Sequence, residues 1–285
     1  MKPRPLDRAA LRHHPLPPVA DGDKESKGRL LVVAGSRTIP GAAILTATAA
    51  MRAGAGKLTI ATGASVATAI GVAIPEAMVI GLAERADGAL AASAADRLGK
   101  EVGEADAVVA GPGMAPGGSC GKIAAALFAS HAGLALDAAL LHALKPPKQD
   151  RHTQCILLPH AGELAALLDN EKEEIETNPI GCGLRAAERY RSIVLVKGIV
   201  SHVVTPDGEA WTYEGGAPGL GVSGSGDVLA GIVAGLLARG AEPLNALLWA
   251  VWLHGQAGAA LAKKIGPIGF LARQIADEVP ALLPR

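Results

Sequence analysis

Short runs of consecutive apolar residues alternate along this chain with longer segments whose apolar positions recur at helical spacing. Residues 30–34, 58–61, 107–110, 134–136, 155–158 and 193–196 are runs bounded by Gly, Pro or charged residues, the pattern of strands buried on both faces. Between them, 42–53, 122–131, 163–168 and 184–190 carry the spacing of amphipathic or buried helices. Strand and helix in alternation predict a parallel sheet with right-handed crossovers. The pattern then changes: 199–204 and 210–213 flank Thr205-Pro206-Asp207-Gly208-Glu209, a tight turn, which predicts an antiparallel hairpin at one edge. Three further helices are expected over 228–238, 244–262 and 270–283. Trp249, Trp252 and Leu253 share one of them as packed core, and His254 after them reads as a core or helix-surface histidine. The Glu-rich stretch 168–178 reads as an exposed loop or short surface helix.

A chain of 285 residues suits one large α/β domain or two small ones. With no internal repeat, low-complexity tract or linker, the expectation is a single domain over 1–285 in which 1–26 form an N-terminal arm. Lys2, Arg4, Arg8 and Arg12 in that arm are interrupted by Pro3, Pro5 and Asp7 with no apolar segment behind them, so it reads as a solvated arm and not a secretory signal. Lys+Arg and Asp+Glu both number 27, which argues against nucleic acid or a membrane surface as partner. The uncharged run 228–238 ends at Arg239, well short of the roughly 18 residues a membrane span needs. Cys120, Cys155 and Cys182 are odd in number and widely separated, which suits reduced, structural thiols in a soluble cytoplasmic protein.

Glycine makes up 36 of the 285 residues, nearly twice the usual share of roughly 7%, and its densest cluster carries the chemistry. Seven glycines lie between Gly215 and Gly231, in a loop that opens a long apolar helix. Such a loop aims successive backbone N–H groups at an anion, and the helix start adds partial positive charge. It is neither a Walker A loop, lacking G-K-S/T, nor a Rossmann fingerprint, which belongs at the other end of a chain. Asp227 sits within it. As a helix cap it contributes about 1 kcal/mol. Beside a bound phosphate, however, a carboxylate 4 Å away opposes binding by about 4 kcal/mol at an effective dielectric near 20. A general base that must touch both the attacking hydroxyl and the phosphoryl group accounts for a carboxylate placed there.

Gly224-Ser225-Gly226-Asp227-Val228-Leu229-Ala230-Gly231 resembles the G-T-G-D-V-L-A-G motif of the ADP/ATP-dependent NAD(P)H-hydrate dehydratases, members of the ribokinase-like superfamily. Lys27-Gly28 through Gly35-Ser36, Pro40-Gly41-Ala42-Ala43, Gly111-Pro112-Gly113, Leu136-Asp137-Ala138, Pro159-His160-Ala161-Gly162-Glu163 and Leu195-Val196-Lys197-Gly198 follow in the family's order. The resemblance runs from Lys27 to about Leu261. It implies a ribokinase-like three-layer α/β fold, a mostly parallel central sheet flanked by helices with an antiparallel edge hairpin. It also implies an activity: ADP or ATP phosphorylates the hydroxyl of a hydrated nicotinamide ring, and phosphate is eliminated to restore NADH or NADPH.

By the same resemblance, Asp227 would be the base, and the N–H groups of Gly224, Ser225 and Gly226 would stabilise the transferred phosphoryl group. Lys197, Gly198, Ile199, Val200 and Ser201 would line the nucleotide site with that loop. Ala42, Gly113, His160 and Asp227 would line the hydrate site. Glu163, at the place of a superfamily Asn-x-x-Glu pattern, would help hold Mg²⁺; a first-turn acid favoured by the helix dipole is its other reading. His160 is either a site residue or a structural hydrogen-bonding group, and Lys197 either a phosphate contact or an exposed strand-end lysine. The family's assembly implies a homotetramer. Ile39, Ala139 and Ala217 stand where the family often has Tyr, Asp and Asn, which places the departures on the acceptor side. A small-molecule alcohol kinase, such as a thiazole or hydroxymethylpyrimidine kinase, would share Asp227 and the loop; a non-catalytic nucleotide-binding module would have no use for Asp227.

Overall fold

The computed structural model describes residues 2–18, 27–147 and 155–284. In chain order its elements are β1 (Arg4–Pro5), α1 (Arg8–Leu11), β2 (Arg29–Val33), α2 (Pro40–Arg52), β3 (Lys57–Gly63), α3 (Ala64–Ala73), β4 (Met78–Leu82) and α4 (Ala94–Gly103). Then follow β5 (Ala107–Ala110), α5 (Cys120–Phe128), β6 (Gly133–Leu136), a 3-10 turn (Ala138–Ala143), β7 (Cys155–Leu157), α6 (Ala161–Leu168), α7 (Lys172–Thr177) and α8 (Pro179–Tyr190). The last third holds β8 (Ser192–Val196), β9 (Ser201–Val204), β10 (Ala210–Tyr213), a 3-10 turn (Pro218–Leu220), α9 (Ser225–Ala238), α10 (Pro243–Lys264) and α11 (Ala272–Leu282).

The strands form one sheet in the order β1-β10-β9-β8-β7-β6-β5-β2-β3-β4. Strand β9 runs against both its neighbours, and the other pairings are parallel. Continuous apolar strands such as β5 and β8 are buried along their whole length, because helices cover both faces. One face packs on α2, α9, α10 and α11; the other packs on α4, α5, α6 and α8. The chain winds β2-β3-β4 to one side and returns through β5 to the other side of β2. That switch opens a crevice beyond the carboxyl ends of β2 and β5, where ligands bind in open α/β sheets.

Helix α9 is placed by glycines. A Cβ on Gly231 would lie 2.2 Å from the Thr46 carbonyl oxygen, and one on Gly235 would lie 2.4 Å from that of Ala50. Only a residue without a side chain allows α9 to lie this close to α2. Thr46 Oγ1 donates to the Asp227 carbonyl oxygen at 3.1 Å, so the same contact sets where the first turn of α9 sits.

The predicted strands and helices are present, each within a few residues. The N-terminal segment departs from expectation. Its described part is anchored on the domain although most of its side chains stay exposed: β1 pairs with β10, Leu6 and Leu11 are buried, and Trp249 Nε1 donates to the His14 carbonyl oxygen at 2.7 Å. Residues 19–26 of that predicted arm lie outside the described residues. The turn 198–200 also leaves the strand expected from 199, and the side chain of Ile199 is wholly exposed. The three cysteines are free and buried, as expected of structural thiols.

Candidate active site

Asp227 stands in the first turn of α9, half-buried, with Gly224 as the preceding cap in a left-handed conformation (φ 87°). A Cβ at Gly224 would lie 2.4 Å from Leu45 of α2, so glycine is required there on two counts. Burial raises the Asp227 carboxyl to about 6; the charge of Asp137 adds to the rise and the Lys197 ammonium opposes it. The amides of Gly226 and Asp227 have no acceptor among the described residues, as helix-start N–H groups do in the absence of a cap. The Ser225 amide, expected to face an anion, instead donates to the Val222 carbonyl oxygen at 3.1 Å.

Lys197 follows directly on β8. Its N–H donates to the Pro159 carbonyl oxygen at 2.9 Å, which sets it beside His160 at the carboxyl end of the sheet. Its Nζ turns inward, 2.7 Å from Asp137 Oδ1 and 3.9 Å from Glu163 Oε2. The exposed strand-end reading is therefore corrected: only 20% of this side chain is accessible. Burial pushes the Asp137 carboxyl up while Lys197 draws it down. A Cβ on Gly226 would stand 3.9 Å from Lys197 Nζ and would touch nothing else. The helix start and the ammonium thus frame a space that glycine leaves open.

His160 and Glu163 form a capping box. His160 Nδ1 accepts from the Gly162 and Glu163 amides at 3.0 and 3.2 Å, and Glu163 Oε2 accepts from the His160 amide at 2.8 Å. With Nδ1 used as an acceptor, the hydrogen of a neutral ring sits on Nε2, which lies 3.4 Å from Glu163 Oε1 while the side chain stays exposed. The structural hydrogen-bonding reading of His160 is thus met.

The residues expected on the acceptor side, Ala42 and Gly113, lie at the switch point. Gly113 has φ 62°, and a Cβ on it would lie 2.4 Å from Ala42 Cβ and 2.9 Å from the Ile39 carbonyl oxygen. The Gly35 amide donates to the Pro112 carbonyl oxygen at 2.8 Å. A Cβ on Gly111 would fall within 1.8 Å of the Asp137 carbonyl oxygen. Ala42–Gly113, Gly111–Asp137, Asp137–Lys197, Lys197–Glu163 and Lys197–Gly226 therefore form one continuous line across the ends of β2, β5, β6, β7 and β8. Ile39 is half-exposed beside Gly113, Ala139 is buried among apolar neighbours of the sheet's second face, and Ala217 is half-exposed just before the 3-10 turn at Pro218–Leu220; of the first two, Ile39 is the one at the crevice mouth. Gly198, Ile199, Val200 and Ser201 form the exposed turn after Lys197, closed by a Ser201 Oγ donation to the Gly198 carbonyl oxygen at 3.4 Å.

Two features of the site escaped sequence reasoning. Asp137 was quoted only as part of a motif, and its pairing with Lys197 joins positions that no local spacing connects. His254 Nε2 lies 3.0 Å from Ser225 Oγ; a histidine within a helix carries no signal of the loop it meets.

A family model described as NAD(P)H-hydrate dehydratase (Carb_kinase) matches residues 30–281. The chain belongs to the NAD(P)H-hydrate dehydratase family. It is similar to an ADP-dependent (S)-NAD(P)H-hydrate dehydratase of Xanthomonas campestris pv. campestris, with 47% identity over 284 residues, covering 99% of this chain and 96% of the relative. Among solved structures, the ADP/ATP-dependent NAD(P)H-hydrate dehydratase of Bacillus subtilis co-crystallised with ATP/Mg²⁺ superposes with a TM-score of 0.86 at 27% identity, over 99% of this chain and 98% of that one. A ribokinase-like superfamily protein of Enterococcus faecalis superposes with a TM-score of 0.82 at 25% identity, over 98% and 94%. The fold of this NAD(P)H-hydrate dehydratase family member is thus ribokinase-like. No described helix is long and apolar enough to cross a membrane.

Proposed function

We propose that this chain dehydrates the hydrate of NADH or NADPH at the expense of ADP or ATP, with Asp227 as the general base. The observation that carries the reading is Asp227 itself: a carboxylate raised to about 6, at a helix start with free amides, facing an inward-turned lysine. A carboxylate in that setting is ionised at neutral pH yet keeps a strong affinity for a proton, as a base operating near neutrality requires. It takes the proton of the ring hydroxyl as the oxygen attacks the terminal phosphorus of the nucleotide. The Gly226 and Asp227 amides and Lys197 Nζ offset the charge that develops on the phosphoryl oxygens. The phosphate ester then leaves as phosphate where hydroxide would not, and loss of a proton from the neighbouring ring carbon restores the double bond. Gly198 to Ser201, with Gly224 to Gly226, receive the nucleotide; Ala42, Gly113 and His160 receive the hydrate, His160 through its exposed ring.

Among the described residues no group of three His, Cys, Asp or Glu forms a metal cage. Mg²⁺ held mainly by nucleotide phosphates and water would need one protein carboxylate, because it keeps several waters, and Glu163 would supply it. Glu163 Oε2 already caps His160 and Oε1 lies 3.4 Å from His160 Nε2, so the carboxylate would reach the ion through water. When bound, the ion neutralises phosphate charge. The chain acts as one unit over 1–285, as a cytoplasmic homotetramer without nucleic-acid or membrane partners. Incubation with hydrated NADH, Mg²⁺ and either ADP or ATP tests the activity: NADH absorbance returns only with a nucleotide present. Accumulation of a phosphorylated alcohol from a thiamin precursor, with no return of NADH, overturns the reading in favour of a small-molecule kinase.

A further inference from the structure

One stretch of α10 supports the glycine-rich loop at its entry, middle and exit. At the entry, Gly215 and Gly255 close on Tyr213: a Cβ on either would lie within 2.3 Å of the Tyr213 hydroxyl, to which Gln256 Nε2 also donates at 3.2 Å. In the middle, a Cβ on Gly258 would lie 2.5 Å from Leu220. At the exit, His254 Nε2 lies 3.0 Å from Ser225 Oγ and 3.2 Å from the Ser225 carbonyl oxygen. A carbonyl oxygen only accepts, so Nε2 carries the hydrogen and both Ser225 oxygens share it. Burial lowers the imidazole to about 4, so it is neutral near pH 7 and holds Ser225 without adding a second cation beside Lys197. The Ser225 amide is used as well, by Val222. The amide and both oxygens of Ser225 are therefore engaged within the fold, while its hydroxyl hydrogen and the next two amides, those of Gly226 and Asp227, are free to donate.

The geometry points to His254 as a positioning residue for the phosphoryl donor: by fixing Ser225 it aims the free amides of Gly226 and Asp227 at the incoming phosphate. The inference rests on the reading of this loop as the anion site. An apolar side chain would serve the packing of α10 equally well, but it would leave the loop exit free to rotate about Gly224, whose left-handed conformation has no side chain to restrain it. His254 does not touch the substrate in this scheme; it acts through Ser225.

The experiment is calorimetric titration of the purified full chain with ADP and with ATP, alongside kcat, KM for both substrates and melting temperature. His254→Phe keeps a ring of similar size and should weaken nucleotide binding about 3- to 10-fold, the usual worth of one neutral hydrogen bond, with little change in KM for the hydrate. His254→Gln, which keeps an N–H, should recover most of the loss. Ser225→Ala removes only the Oγ contact and keeps the carbonyl one, so it should weaken nucleotide binding no more than His254→Phe, and the double variant should be no worse than His254→Phe. Additive losses overturn the proposal, as does a lower melting temperature with unchanged nucleotide Kd for the folded protein. If His254→Phe does not fold, Ser225→Ala and His254→Gln carry the same test. Gly226→Val is the control: if it leaves nucleotide Kd unchanged, the anion-loop assignment falls and this inference with it; if it weakens binding while the His254 variants do not, only the inference falls.

Discussion

On the proposed donor side, Gly224, Ser225, Gly226 and Asp227 are consecutive residues at one helix start, and in the proposed scheme their backbone does the binding. On the acceptor side, Ala42 opens α2 while Gly113 follows β5, and the two meet only because β5 returns beside β2. Lys197, Asp137 and Glu163 join the two sides from three further strand ends. A backbone anion site is compact in sequence because successive amides must converge on one point. A site for a flat ring needs walls, and walls come from whichever elements the sheet order makes neighbours. The donor side is accordingly conspicuous as a motif, whereas the acceptor side is scattered and is where Ile39 departs from the family pattern.

The strongest way to break this division is at Asp227, which belongs to both sides. Asp227→Asn should lower kcat by about 10²- to 10⁴-fold, the usual contribution of a general base. Nucleotide Kd should stay level or tighten as the repulsion between carboxylate and phosphate disappears. A kcat for NADH regeneration within a few-fold of the parent would reduce Asp227 to a first-turn acid.

Next in size is Gly226→Val, whose side chain would fill the gap before Lys197 Nζ. Nucleotide Kd should rise about tenfold, roughly 1.4 kcal/mol, with a smaller effect on KM for the hydrate. Equal losses on both substrates would show that the two sides are not separable.

Gly113→Ala should do the converse. The new methyl both meets Ala42 and occupies a left-handed conformation, a strain of about 1 to 2 kcal/mol. KM for the hydrate should rise several-fold while nucleotide Kd holds, and a change confined to the nucleotide would reverse the assignment of the crevice.

The smallest effect is on stability. The Asp227 carboxyl, raised to about 6 when folded, is near 3.9 when unfolded. Its ionisation therefore costs stability progressively as pH rises from about 4 to 6, and the cost is constant above that window. Asp227→Asn should raise the melting temperature by a few degrees at pH 8 and leave it unchanged near pH 3. In the parent enzyme kcat should climb with pH through about 6 as the base ionises. A melting temperature lowered at pH 8 would mean that the carboxylate stabilises the helix start more than its burial costs.

Some of this molecule is readable from local pattern because its determinants are local. Continuous apolar strands, the hairpin around Pro206-Asp207-Gly208 and the glycine loop each state their geometry within a few residues. Helix α4 was equally readable, with Ala94, Leu98 and Val102 at four-residue spacing and buried, but it went unpredicted. Helix α3 was not: it is apolar all round yet buries only Ile70, so no periodicity marks a face. The charges of the N-terminal segment likewise obscured Leu6 and Leu11, which anchor it.

The sequence by itself determined the fold class, the family and the loop with Asp227, since apolar period and backbone conformation are encoded between near neighbours. Only the tertiary structure decided that Lys197 turns inward to Asp137, that Glu163 spends one oxygen capping His160, that the Ser225 amide is taken, and that His254 reaches the loop. Those outcomes depend on which strand ends and helices lie side by side, and burial, hydrogen-bond partners and the raised Asp227 carboxyl exist only once they do.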